Sequence, residues 1–279
     1  SSSSAASDVY KRQAKYASLA ECASACAEAG LGWIGPWRNR IQEVGSADAA
    51  KIISAAGLSV STVCRGGFIT ATEPDSRSRA IVENTRAIEE AEALGARELV
   101  MVVGGLPAGD KNLVSARERV AQRLGDLVPI AHNHGVRLAL EPMHPLFTAD
   151  RGVLTTIGQS LDIAEQFEPE EVGVVIDTYH IWWDPDAHES IERAGHQGRI
   201  STYQICDWIL PLTANTLNSR GLPGDGYIDF PTITRWVSEA GYTGPVEVEI
   251  FNENLWIQPV RQIVDAISAR YVDLVEPYL

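Results

Sequence analysis

The sequence predicts an α/β protein built as a (βα)₈ barrel that lacks its first strand. Three observations carry the prediction. Helical patterns alternate with short apolar runs along the whole chain, and seven such runs are visible. The first helical pattern has no strand before it. The length of 279 residues suits eight βα units, which need about 250.

The apolar runs are "LGWIGPW" (31–37), "LSVSTVCRGG" (58–67), "ELVMVVGG" (98–105), "VRLALE" (136–141), "VGVVID" (172–177), "RISTYQICD" (199–207) and "PVEVEIF" (245–251). Between them apolar residues recur at helical spacing, most clearly over 81–94 and 114–130. Gly30, Gly57, Gly95, Gly135 and Gly241 stand where helices should end, just before strands. The main rival, a doubly wound sheet, has no glycine-rich phosphate fingerprint after an early strand to support it. The longest irregular stretch runs from about Trp208 to Phe230. It follows the seventh barrel strand, and a loop of that length in a compact domain is usually functional.

Residues 1–13, "SSSSAASDVYKRQ", stand apart. They carry no apolar stretch after their charges, so they are not a signal peptide. Ser3 to Gln13 resemble a translated sequencing adapter. Residues 1–13 are therefore read as an artefactual or disordered tail and residues 14–279 as one barrel domain. Loss of the first strand would open the barrel, expose a sheet edge and lower stability.

Composition narrows the function. The net charge is −14, which disfavours nucleic acid as a partner. No apolar run approaches the ~20 residues of a membrane span. Of the four cysteines, Cys22 and Cys26 are four apart on a helical pattern and Cys64 and Cys206 are scattered; none makes a zinc knuckle or a disulfide framework, which suits a reducing cytoplasm.

The later strands end on charged groups: Glu141, Asp177, then Gln204 and Asp207, then Glu247 and Glu249. In a barrel the strand carboxyl ends converge on one face, with neighbours about 5 Å apart. Carboxylates packed so closely repel, and a divalent cation is the simplest remedy. Oxygen-rich ligands suit Mg²⁺ or Mn²⁺ better than zinc. Glu247 and Glu249 share one strand face, so spacing does not choose between them. Trp182 and Trp183 could stack on a sugar or cover a subunit contact.

The motifs "LEPMHP", "GVVIDTYHIWWDPD", "YQICDW", "GLPGDGYIDF" and "GYTGPVEVEIFN" together resemble the xylose isomerase-like TIM barrels, in particular the sugar phosphate isomerase/epimerase group. The resemblance runs from about Ala14 to the C-terminus. It implies one divalent metal, Mn²⁺ or Mg²⁺ before Co²⁺ or Zn²⁺, held by Glu141, Asp177, Gln204 and Glu249. Histidine is usual at the position of Gln204. It implies acid/base roles for Glu141 and Glu249, and substrate contacts from His180, Arg220 and Asp207, with Asp207 either behind the metal or facing the sugar. Trp37 and Arg65, ending the second and third strands, are candidate pocket walls. His144, just past the fifth strand, is a candidate general base. That arrangement also resembles the large subunit of bacterial C-glycoside deglycosidases.

The expected activity is proton abstraction beside a carbonyl of a sugar, keto-sugar or sugar phosphate, giving isomerisation or epimerisation. The alternative is a lyase of the inosose dehydratase or 3-keto glycoside type. The expected partners are a small-molecule substrate and, at most, a second copy or a small subunit. An endonuclease IV-like activity is disfavoured by the charge and by Gln204.

Overall fold

The computed structural model describes the backbone of residues 7–11 and all of residues 14–279. In chain order, β1 (Ser7–Lys11) precedes α1 (Leu19–Glu28), and β2 (Trp33–Ile34) precedes α2 (Arg38–Val44) and α3 (Ser46–Ala55). β3 (Ser59–Val60) and β4 (Thr62–Gly67) lead to α4 (Pro74–Ala93), β5 (Glu98–Val102) to α5 (Leu113–Asn133), and β6 (Arg137–Leu140) to α6 (Ile157–Ala164). β7 (Val172–Asp177) is followed by α7 (Thr178–Ile181) and α8 (Ala187–His196). β8 (Ile200–Ile205), the ribbon β9 (Asp207–Trp208) and β10 (Arg220–Gly221) lead to α9 (Phe230–Glu239). β11 (Val246–Glu249), α10 (Glu253–Trp256) and α11 (Val260–Leu274) complete the chain.

The main sheet is parallel, in the order β3-β2-β1-β11-β8-β7-β6-β5-β4. Its two ends, β3 and β4, are one stretch of chain interrupted only at Ser61. One half pairs with β2 and the other with β5. The sheet therefore closes on itself as a barrel of eight strand positions, as the alternation of elements predicts.

The first of those positions, left vacant by the sequence reading, is taken by Ser7–Lys11. β1 pairs in parallel with β11 along Ser7–Val246 and Asp8–Glu247, and meets β2 at Asp8–Trp33. The expected open edge is thus covered.

The helices start where local chemistry dictates. The first helix begins at Leu19, because Ser18 and Glu21 form a capping box: Glu21 N donates to Ser18 Oγ at 3.2 Å, and Ser18 N donates to Glu21 Oε2 at 2.7 Å. The patterns over 81–94 and 114–130 lie largely within α4 and α5. Every residue of β7 and β8 is buried, as expected for parallel strands covered on both faces. The main core lies between strands and helices. A small separate cluster of Cys64, Val100, Ala139 and Val175, backed by Trp37, fills part of the barrel interior. Among the described residues no helix is long and apolar enough to cross a membrane.

Candidate active site

The carboxyl ends of β6, β7 and β11 deliver Glu141, Asp177 and Glu249 to one end of the barrel, all buried. Asp177 also caps α7: its Oδ1 accepts from Tyr179 N at 2.9 Å. That one-turn helix places His180 beside the acids, with Nε2 3.7 Å from Asp177 Oδ2 and 3.9 Å from Glu141 Oε1. Glu141, Asp177 and His180 each offer an atom within 4.8 Å of the others.

Arg220, on β10, reaches into the centre of this group. Its Nη1 donates to Glu249 Oε2 and to the Glu249 carbonyl, each at 3.0 Å, and to Asp177 Oδ2 at 3.3 Å. Its guanidinium lies over Tyr179 and Phe251, 4.5 and 4.7 Å from the ring centres. A metal ion is therefore not the only remedy for repulsion between the acids, as charge alone suggested. Arg220 supplies one internal counter-cation.

The protonation of His180 follows from its neighbours. Nδ1 accepts from the backbone N–H of His144 at 3.0 Å. Burial holds the imidazole pKa well below its usual value, so the ring is neutral. Its one proton is then on Nε2. Arg220 Nη2 lies 3.0 Å from that nitrogen. Two donors thus face one place, an arrangement that suits an oxygen acceptor touching both.

Glu247 and Glu249 differ in depth. Glu249 lines the site cavity. Glu247 lies one pair of residues deeper, where Oε1 accepts from Ser61 Oγ at 2.6 Å and Thr62 Oγ1 at 2.7 Å, and Oε2 accepts from Gln204 Nε2 at 2.8 Å. The Oε1 atom of Gln204 is buried and has no hydrogen-bond partner. Of the four expected ligands, Glu141 and Asp177 come together directly, Glu249 is held against Arg220, and Gln204 is anchored by its amide nitrogen. This donor set fits a hard divalent cation, and the orphaned amide oxygen is the observation that tests the fit.

The remaining expected residues divide. Trp37, Arg65, His180 and Arg220 line a cavity of about 30 Å³ together with Glu141 and Glu249. Burial lowers the Arg65 pKa, and its guanidinium lies 4.2 Å from the Phe68 ring centre. Asp207 does not face that cavity, so the sugar-facing reading is corrected. Its Oδ1 accepts from the N–H groups of Trp208 and Ile228, and its Oδ2 from those of Gly224 and Gly226, at 2.8–3.0 Å. It fastens the long loop instead. Gly226 is needed there because a Cβ would stand 2.1 Å from the Trp208 carbonyl.

His144 is also placed differently from the expectation. Its ring lies 4.6 Å from Trp208 and 5.8 Å from Trp183, and its Nδ1 accepts from Leu146 N at 3.2 Å. Burial pushes its pKa down to about 4. It serves the site through its backbone N–H, while its ring lies outside the cavity lining. Trp182 and Trp183 pack on this aromatic group, with Trp183 Nε1 donating to the His180 carbonyl at 2.8 Å.

Sequence reasoning missed Arg151 and Phe251, which also line the cavity. Phe251 could have been found by strand alternation, two residues beyond Glu249. Arg151 sits in the loop after the fifth barrel strand, where only its position on the catalytic face marks it.

Known proteins resemble this chain to different extents. The crystal structure of protein SMc04130 from Sinorhizobium meliloti 1021 superimposes with a TM-score of 0.93 at 41% identity, covering 97% of this chain and 98% of that one. Inosose isomerase from Bacillus subtilis (strain 168) is 29% identical over 157 residues, 56% of this chain and 54% of the relative. The chain thus spans about half the length of that relative. A ketose 3-epimerase from Arthrobacter globiformis is 27% identical over 212 residues, 68% of this chain and 63% of that protein. The sequence model of the xylose isomerase-like TIM barrel matches residues 23–270, and the chain belongs to that family.

Proposed function

We propose that the chain is a divalent-metal-dependent isomerase or epimerase of a polyhydroxylated ketone, a keto-sugar or keto-inositol, acting by proton abstraction next to the carbonyl. The observation that carries this reading is the pairing of two carboxylates, Glu141 and Glu249, on one small cavity with the converging donors His180 and Arg220. Similarity to an inosose isomerase and a ketose 3-epimerase supports the substrate class.

Each side chain has a task in that chemistry. His180 Nε2–H and Arg220 Nη2–H hold one substrate oxygen, which fixes the adjacent carbon between the acids. One of Glu141 and Glu249 removes the proton from that carbon and the other returns one. Arg220 keeps Glu249 oriented through the two bonds it makes to that residue. The metal would be held by Glu141, Asp177, Gln204 and Glu249, and when bound would supply polarisation of the carbonyl. Arg65 and Trp37 wall the cavity and exclude water.

Exchange in D₂O tests the reading. The protein, supplied with Mn²⁺, is incubated with ketoses, keto-inositols and 3-keto glycosides, and the products are read by mass spectrometry. Gain of one deuterium with no other change of formula is expected. Loss of water or of an aglycone would replace the reading with a lyase, and no exchange on any of these substrates would overturn it.

A further inference from the structure

We propose that Glu247 is a positioning residue: it fixes the Gln204 amide with its oxygen turned to the metal position, so that the site prefers Mn²⁺ or Mg²⁺ to Zn²⁺. The inference rests on the metal dependence proposed above. A carboxylate accepts hydrogen bonds and donates none. The end of Gln204 that meets Glu247 at 2.8 Å is therefore Nε2. Glu247 is itself held, because its other oxygen accepts from both Ser61 and Thr62.

The amide oxygen is then committed to the side away from Glu247. In the sheet register Gln204 stands level with Glu247 on β11 and with Asp177 on β7. Its backbone therefore stands between the deep acid and an acid of the site. Gln204 is 1% exposed, and its Oε1 has no hydrogen-bond partner among the described residues. A buried carbonyl oxygen left so is unfavourable unless a donor or a cation meets it.

The neighbouring groups favour a cation and specify its kind. Glu141 and Asp177 bring acceptor oxygens, and Glu249 brings another. The one ring nitrogen nearby is on His180, whose Nδ1 is taken by the His144 N–H at 3.0 Å and whose Nε2 is turned to Arg220 Nη2 at 3.0 Å. Every available donor is thus an oxygen, and a set of oxygens suits hard cations. Glu247 does not touch the cation. It acts by forbidding the amide flip that would present an N–H₂ group instead.

The test measures metal binding to the chelated protein, Mn²⁺ by the loss of its free paramagnetic signal and Zn²⁺ by competition with a chromophoric chelator. In Glu247→Gln the new side chain can also donate, so the Gln204 amide is free to flip. Mn²⁺ affinity is expected to fall at least tenfold, with Zn²⁺ affinity falling less. Gln204→His is expected to reverse the preference by tenfold or more. The pair Ser61→Ala and Thr62→Val loosens Glu247 without altering its charge and should shift the Mn²⁺/Zn²⁺ ratio in the same direction as Glu247→Gln. It carries the test if Glu247→Gln does not fold. General damage would lower both affinities together. An unchanged Mn²⁺/Zn²⁺ ratio in the folded loosened variants overturns the inference alone. A wild-type protein that binds neither ion overturns the metal dependence as well.

Discussion

Arg220 and Glu249 are joined twice, since Nη1 donates to both the carboxylate and the carbonyl of Glu249 at 3.0 Å. The same nitrogen reaches Asp177. Removing the arginine strands two buried acids. Breaking one partner of a buried ion pair costs about 3–5 kcal/mol. Arg220→Leu is expected to lose stability of that order in urea unfolding. Arg220→Lys should recover part of it, because the charge remains but the fork does not.

Glu249 and His144 make opposite predictions for turnover. Glu249→Gln keeps the shape but removes the acid/base group, and deuterium exchange should fall by at least about 10²-fold. His144→Ala keeps the backbone N–H that orients His180. Exchange should stay within about tenfold of wild type, since a side chain outside the cavity removes no transition-state contact. Equal damage from both substitutions in D₂O assays would restore His144 as the base.

The pH dependence of stability has a definite sign. His144 is held neutral down to about pH 4, whereas an unperturbed imidazole protonates near 6.5. Between these values the unfolded chain binds the extra proton, so unfolding free energy rises with pH across that window. Stability is lost as pH falls. Buried His180 acts in the same sense. His144→Phe should flatten the urea midpoint over this range while leaving the His180 contribution.

Asp207 governs the long loop. Asp207→Asn replaces one acceptor oxygen by a donor facing backbone N–H groups. Hydrogen bonds to charged groups contribute about 1.5–3 kcal/mol each, so the loop should loosen well before the barrel does. Hydrogen exchange at the amides of Gly224, Gly226 and Ile228 reads this directly, and a protection pattern equal to wild type would contradict it.

The barrel and its acids could be read from the chain because both depend on local pattern. Alternation of apolar runs with helical spacing marks βα units, and a strand that ends in Glu141 or Asp177 places that carboxylate on the catalytic face. Glu247 and Glu249 could not be ranked, because period-two alternation gives both the same face and says nothing of depth. The role of Arg220 as counter-cation was hidden by sequence separation: it meets Asp177 across 43 positions. Asp207 looked like a site acid because it shares a strand end with Gln204. Only the folded loop shows its oxygens taken by amides. The strand at Ser7–Lys11 was missed for a different reason: residues 1–13 were set apart on their resemblance to an adapter, whereas strand pairing needs only main-chain groups.

The cavity lined by Arg220 measures about 30 Å³, room for about one or two water molecules. No sugar fits without displacement of a wall. Asp207 ties down part of the long loop and Arg65 is held within β4, so the wall expected to yield is the one that carries Trp37 and Arg151, which lie outside the main strands. Admission and release then recur in every catalytic cycle. Their rate depends on solvent friction rather than on the isotope being transferred, so kcat is expected to slow in viscous buffer even where the proton transfer itself is fast.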